Sequence, residues 1–195
     1  MNTVGHANVR FEFILILALL STFIFTLGVP GSVYAQTPHW VGISVAEPYQ
    51  YPAATESIRG LRLNLLYTKH QTVRGVDLGL GINRVEENFT GIQTALYNNV
   101  SENTTGFQAG LISVTEGDLN GAQISLANLS RGRTSGFQLG IANKAEIMHG
   151  VQIGLVNTAF ELKGLQVGLL NMKNNLGSSP QSLPFRAFPL VNWSF

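Results

Sequence analysis

The groups able to do chemistry in this chain of 195 residues are few. Its histidines are His6, His39, His70 and His149, its only aspartates are Asp77 and Asp118, and it has no cysteine. A hydrolytic centre needs a nucleophile, a base and an orienting group that converge in space. The combination that would supply one is Asp77 or Asp118 lining a cleft with His70 or His149. Both of those histidines fall in turns between expected strands, where a solvated imidazole is the commoner state. No HExxH, GxSxG, DxDxDG or P-loop string occurs. The stretch GVDLGLG at Gly75–Gly81 has the glycine content of a phosphate loop, yet it lies in register with a strand repeat and no helix follows it. Thiolate metal sites and disulfides are excluded, and His and carboxylate do not cluster at ligand spacing. Glu86, Glu87, Glu102 and Glu116 recur in turns. Stacked on one edge they would hold a cation weakly, but the simpler reading is a solvated acidic rim. Sequons at Asn88, Asn99, Asn103, Asn128 and Asn192 are what chance yields in an Asn- and Thr-rich repeat. The expectation is a chain without catalytic residues, cofactor or metal.

What these residues sit on is a tandem repeat, the most ordered feature of the sequence. GFQLGIAN (Gly136–Asn143), GVQIGLVN (Gly150–Asn157) and GLQVGLLN (Gly164–Asn171) are its clearest copies. More diverged copies open at Gly60, Gly75, Gly91, Gly106 and Gly121, so successive glycines lie 14 to 16 residues apart. Counted from each glycine, positions +1, +3 and +5 are apolar, as in Val151, Ile153 and Leu155. Position +2 is polar: Arg62, Asp77, then Gln93, Gln108, Gln123, Gln138, Gln152 and Gln166. Position +4 is small, and +7 is mostly asparagine at Asn98, Asn128, Asn143, Asn157 and Asn171. Period-two alternation of this kind is a strand with one apolar face. By the usual rule Ile153 and its equivalents should point inward, and the glutamine row outward as a flat, uncharged face suited to a glycan or a protein. Asparagine tolerates tight turns and stacks into amide ladders, which suits a corner. Position −2 is usually apolar as well (Ile58, Val73, Phe89, Leu119, Met148, Leu162) but has the opposite parity from +1, so a bend is expected at the glycine.

Two folds compete for this pattern. In an all-β solenoid each repeat is one coil, giving about eight coils stacked at ~4.8 Å. In an eight-stranded outer-membrane barrel each repeat is one strand and a turn. The phase change, the short alternation and the scarcity of aromatics favour the solenoid; the ending FPLVNWSF has the alternation of a terminal barrel strand, or of an apolar cap on the last coil.

The expected organisation is a signal peptide over residues 1–35, cleaved between Ala35 and Gln36, a starting strand and loop over 36–57, repeats over 58–179 and a capping strand over 180–195. Pro180, Pro184 and Pro189 mark the break before the cap. The apolar run Phe11–Val29 is long enough to serve instead as an uncleaved anchor, but Pro30 and Gly31 break it before the small-residue site. Either way the remainder is expected outside the cytoplasm, in the cell envelope, outer membrane or cell surface. Charged residues are only 12% of the chain against a usual ~25%, and the net charge is +1, so no strong field is expected to attract nucleic acid or acidic lipid. The partners left are a protein or glycan, an outer membrane, or another copy meeting the open ends of the stack. The run GVQIGLVNTAFELKGLQVGLLN, the entry SIRGLRLNLLYTKHQTVRGVDLGLGIN and the ending FPLVNWSF resemble a family of bacterial surface repeat proteins. That resemblance implies a surface or outer-membrane location and carries no activity or ligand with it. The function expected is a non-enzymatic scaffold or interaction module of the envelope, with a small outer-membrane barrel, a pore or membrane anchor, as the alternative.

Overall fold

The computed structural model describes residues 38–174 and 186–195. The expected signal peptide, its cleavage site at Ala35 and Gln36, and the prolines Pro180 and Pro184 lie outside the described residues. Gln36–Phe195 form one compact unit. It is a β-solenoid of about nine turns.

The strands are β1 (His39–Ala46), β2 (Tyr49–Tyr51), β3 (Ile58–Asn64), β4 (Tyr67–His70), β5 (Val73–Gly79), β6 (Ile82–Val85), β7 (Phe89–Val100), β8 (Thr104–Thr115), β9 (Leu119–Leu139), β10 (Ala142–Ile153), β11 (Val156–Lys173) and β12 (Ala187–Ser194). From β1 to β11 each coil pairs in parallel with the next at the repeat period: Gly91 opposes Gly106, and Gln138 opposes Gln152. Parallel pairing rules out the barrel alternative, because strands joined by short turns around a barrel would run antiparallel. The count exceeds the eight sequence repeats because β1, which lacks the repeat signature, pairs in parallel with β3 and adds a coil. At one end β2 folds back antiparallel on β1, and at the other β12 lies antiparallel on β11, with Trp193 opposite Leu165.

Each repeat glycine has φ between 131° and 150°. Their stack allows the chain to bend there at close approach, and a Cβ at Gly136 would collide with the carbonyl oxygen of Gly121 one coil earlier.

The inside of the coil reverses the expected polarity. Gln93, Gln108, Gln123, Gln138, Gln152 and Gln166 are all fully buried, whereas Leu61, Ile92, Ile153 and Leu155 point outward and are substantially exposed. The two apolar sets of opposite parity therefore occupy opposite sides of one ribbon. Position −2 faces in, with Ile58, Val73, Phe89, Leu119, Met148 and Leu162 at most 1% exposed, and +1, +3 and +5 face out. The apolar part of the interior is completed by residues of the short strand, such as Val85, Val100, Ala145 and Ala159.

The glutamines tolerate burial because stacking satisfies them. Each donates Nε2–H to the Oε1 of the glutamine one coil before, from Gln166 to Gln152 (2.8 Å) and on to Gln138 (2.7 Å), Gln123, Gln108 and Gln93. Gln93 closes the run by donating to the carboxylate of Asp77 at 2.6 Å. The asparagines make a second ladder of opposite sense: Asn128 donates to Asn143, Asn143 to Asn157 and Asn157 to Asn171, at 2.7–2.8 Å. Their remaining N–H groups hold backbone carbonyls in the next coil, as Asn143 does at Ile153. Two amide ladders running in opposite directions partly cancel each other's dipole, which removes an electrostatic cost of aligning them in a low-dielectric interior.

Candidate interaction surface

The acid–base residues picked from the sequence are divided by the fold. Asp77 and His70 are brought together, but inside the stack and through Arg62. Arg62 Nε donates to Asp77 Oδ1 at 2.7 Å, its Nη2 to Oδ2, and its Nη1 lies 3.2 Å from His70 Nδ1. All three side chains are fully buried. His70 is thus not a solvated turn residue. Its Nε2 faces the carbonyl oxygen of Pro52 at 3.2 Å, so the neutral ring donates there and accepts from Arg62. Burial, reinforced by the Arg62 guanidinium, pulls its pKa down to about 4. The cluster is a satisfied start for the glutamine ladder, with a cation neutralising the terminal carboxylate, and no solvent reaches it. His149 and Asp118 lie elsewhere: His149 is half-buried on an outer row, and Asp118 is exposed at a corner, where its Oδ1 accepts from the Arg133 amide at 2.8 Å.

Glu86, Glu87, Glu102 and Glu116 line the turns on one side of the stack. They are used by neighbours: Glu87 accepts from Gln71 and Thr72, Glu86 pairs with Arg84 and Glu116 with Arg131. Among the described residues no group of three or more His, Asp or Glu is placed to hold a metal ion. His39 lies beside Tyr51 and Glu56 near the first coil.

The glutamine row expected to be a recognition face is buried and engaged in its ladder, so it contacts no partner. The reason is that its uncharged amides complement one another at the coil spacing, whereas they would gain nothing net by facing water. Asn98, Asn128, Asn143, Asn157 and Asn171, expected at a corner, lie within strands and are also buried. Asn83 belongs to the same row, opposite Asn98, but was missed because one extra residue ahead of it moves it off the +7 count. Its position after GVDLGLGI was the available signal.

The surface that remains is the outer side of the long strand. Across eight coils its +1, +3 and +5 positions are Leu61, Leu63, Leu65 through Leu165, Val167, Leu169, with Thr94 the one polar exception. At β1 the sheet is continued by Val41, Ile43 and Val45, in register with the first repeat, and at β12 by Val191 and Trp193. The outermost row is the most open: Leu80 is 70% exposed, Leu96 55% and Leu169 65%. Ten strands at ~4.8 Å by six residues at ~3.3 Å make a sheet of roughly 950 Å². The largest apolar patch on an ordinary monomer is ~300–600 Å². The face holds no ionisable side chain.

Each neighbouring row carries three cations. Along the glycine side, position −1 reads Arg59, Arg74, Thr90, Thr105, Asn120, Ser135, His149 and Lys163. Beyond the asparagine row, the next row reads Lys69, Arg84, Asn99, Val114, Leu129, Lys144, Thr158 and Met172, of which Val114 is buried. Neither row contains a carboxylate. Apart from the buried Asp77, the acids of the repeats, Glu86, Glu87, Glu102, Glu116, Asp118, Glu146 and Glu161, lie further round the coil, away from the apolar sheet, together with Arg131 and Arg133. No family model matches this chain, and neither the curated proteins nor the solved structures provide a match, so the function is read from this surface itself.

Proposed function

We propose that this chain is a non-enzymatic, exported scaffold of the cell envelope whose working surface is the aliphatic sheet face. The observation that carries the reading is the arrangement of that face: an apolar area above the usual size for a monomer, built from side chains that the repeat places outward in every coil. A solenoid interior filled by self-complementary amides frees its branched aliphatics for external contact, and the ladders hold the face rigid. Rigidity lowers the entropy lost on docking.

The experiment is fractionation of cells producing the full chain, tagged at its C-terminus, in native form and as the combined Leu96→Glu, Leu126→Glu and Leu155→Glu variant. The reading expects the native chain with the envelope and the variant released into the soluble fraction, with the variant's circular dichroism unchanged. A correctly folded variant retained with the envelope as fully as the native chain would reject the face as the contact surface.

A further inference from the structure

If the aliphatic sheet is the contact surface, as proposed above, its surroundings identify the partner. We infer that the face rests on an anionic lipid surface, with its two basic flanks on the headgroups. Along one flank stand Arg59, Arg74 and Lys163, and along the other Lys69, Arg84 and Lys144. Arg59, Arg74 and Lys144 form no ion pair among the described residues. Lys69 and Arg84 share the single carboxylate of Glu86, and Lys163 reaches Glu161 only at 3.6 Å. The net charge of +1 gives no strong overall field toward acidic lipid, but cationic charge is left over locally on both sides of the sheet, and the acids are turned away from it.

A bilayer complements this arrangement in three ways. Aliphatic side chains without a polar atom enter the acyl boundary freely, and long Lys and Arg side chains reach up to the phosphates from either side. The strands contribute no penalty of their own, because coil-to-coil pairing already satisfies the backbone N–H and C=O groups of the sheet. The chain's two tryptophans also mark the two ends of the sheet: Trp40, 73% exposed, at the register of Arg59 and Gly60, and Trp193, beside Leu165 on the last strand. Tryptophan at the margin of an apolar surface is the residue that settles at the headgroup level. A second copy docked face to face is the poorer occupant, since both flanks are basic and the pairing would set cation against cation.

Gln36–Phe195 form a compact unit, so the experiment uses that stretch. The protein is mixed with vesicles of phosphatidylcholine alone and of phosphatidylcholine with phosphatidylglycerol, and binding is followed by co-sedimentation and by tryptophan emission. The expected result is binding to the anionic vesicles with a blue shift, weakening as salt is raised. The combined Arg59→Gln, Arg74→Gln and Lys144→Gln variant should lose roughly fivefold in partitioning per cation removed. The combined Leu80→Glu, Leu111→Glu and Leu155→Glu variant, shown to be folded by circular dichroism and an unchanged urea midpoint, should not bind at all.

Absence of binding to either vesicle overturns the lipid assignment, and so does binding that the folded leucine variant retains. Gel filtration of the same proteins separates this failure from failure of the underlying reading. Copies that associate through the face, and part in the leucine variant, would leave the sheet as a contact surface but give it a protein partner. A leucine variant that changes neither lipid binding nor association would remove both.

Discussion

The sharpest test of the reversed interior is Gln152→Glu, a change of one amide nitrogen to oxygen at constant volume. Gln152 donates to Gln138 Oε1 at 2.7 Å and to the Thr158 carbonyl at 3.3 Å, and it accepts from Gln166 Nε2 at 2.8 Å. An ionised carboxylate at this position would face two acceptors in a site without solvent access, so the folded protein keeps the new carboxyl protonated. Protonated, it can donate to Gln138 and accept from Gln166, restoring the ladder with the loss only of the long bond to Thr158. Holding a glutamic acid neutral at pH 7 against an unfolded pKa of ~4.3 costs about 3.7 kcal/mol. The lost carbonyl bond adds up to ~1 kcal/mol.

The sign of the pH dependence follows from the same site. The folded pKa of the new carboxyl is raised, so the folded state binds more protons, and stability relative to the native sequence falls as pH rises above ~4.3, by ~1.4 kcal/mol per unit. Urea titrations of the native and variant Gln36–Phe195 at about pH 4.5 and about pH 7 measure the difference. The expectation is a deficit of about 1 kcal/mol at the lower pH and about 4 kcal/mol at the higher. A deficit below ~0.5 kcal/mol that does not change with pH is the behaviour of a surface glutamine. It would refute the buried ladder.

Ile153→Asp, on the outer face, should cost under ~1 kcal/mol in urea unfolding, whereas Met148→Asp places an unpaired carboxylate at a fully buried position and should cost at least ~3 kcal/mol. Equal costs would contradict the assignment of sides. Gly136→Ala forces a β-carbon against the Gly121 carbonyl at a φ of 144° and should lower stability by ~1–3 kcal/mol or more; an unchanged thermal midpoint would contradict the close stacking of the glycines. Acid should weaken the fold through His70. Its folded pKa of about 4 lies below its ordinary 6.5, so stability is intact above pH 6.5 and is lost as pH falls toward 4. The full loss is up to ~3 kcal/mol. In His70→Gln, whose amide oxygen can still accept from Arg62, the part of the acid sensitivity between those limits should disappear from urea midpoints.

The sequence by itself determined the repeat length, the strands and the solenoid as the favoured fold, because period-two alternation and a recurring glycine are local properties that survive in one dimension. It did not determine which side of the ribbon faces in. Alternation reports that Gln152 and Ile153 lie on opposite sides, and the rule that apolar residues are buried then assigned them the wrong way round. Their true sides depend on partners one coil away, such as Gln138 and Gln166, which are 14 residues distant in the chain. A signal of the outcome was present, since a solvated face would mix lysine, glutamate and serine, while six successive copies kept one self-complementary amide. The company of His70 was likewise invisible: it is buried by closure of the coil against Arg62 and Pro52, although its neighbours in sequence read as a turn. Only the closed coil decided both, because stacking at the strand spacing makes a polar interior affordable and leaves the aliphatic side chains with no place but the surface.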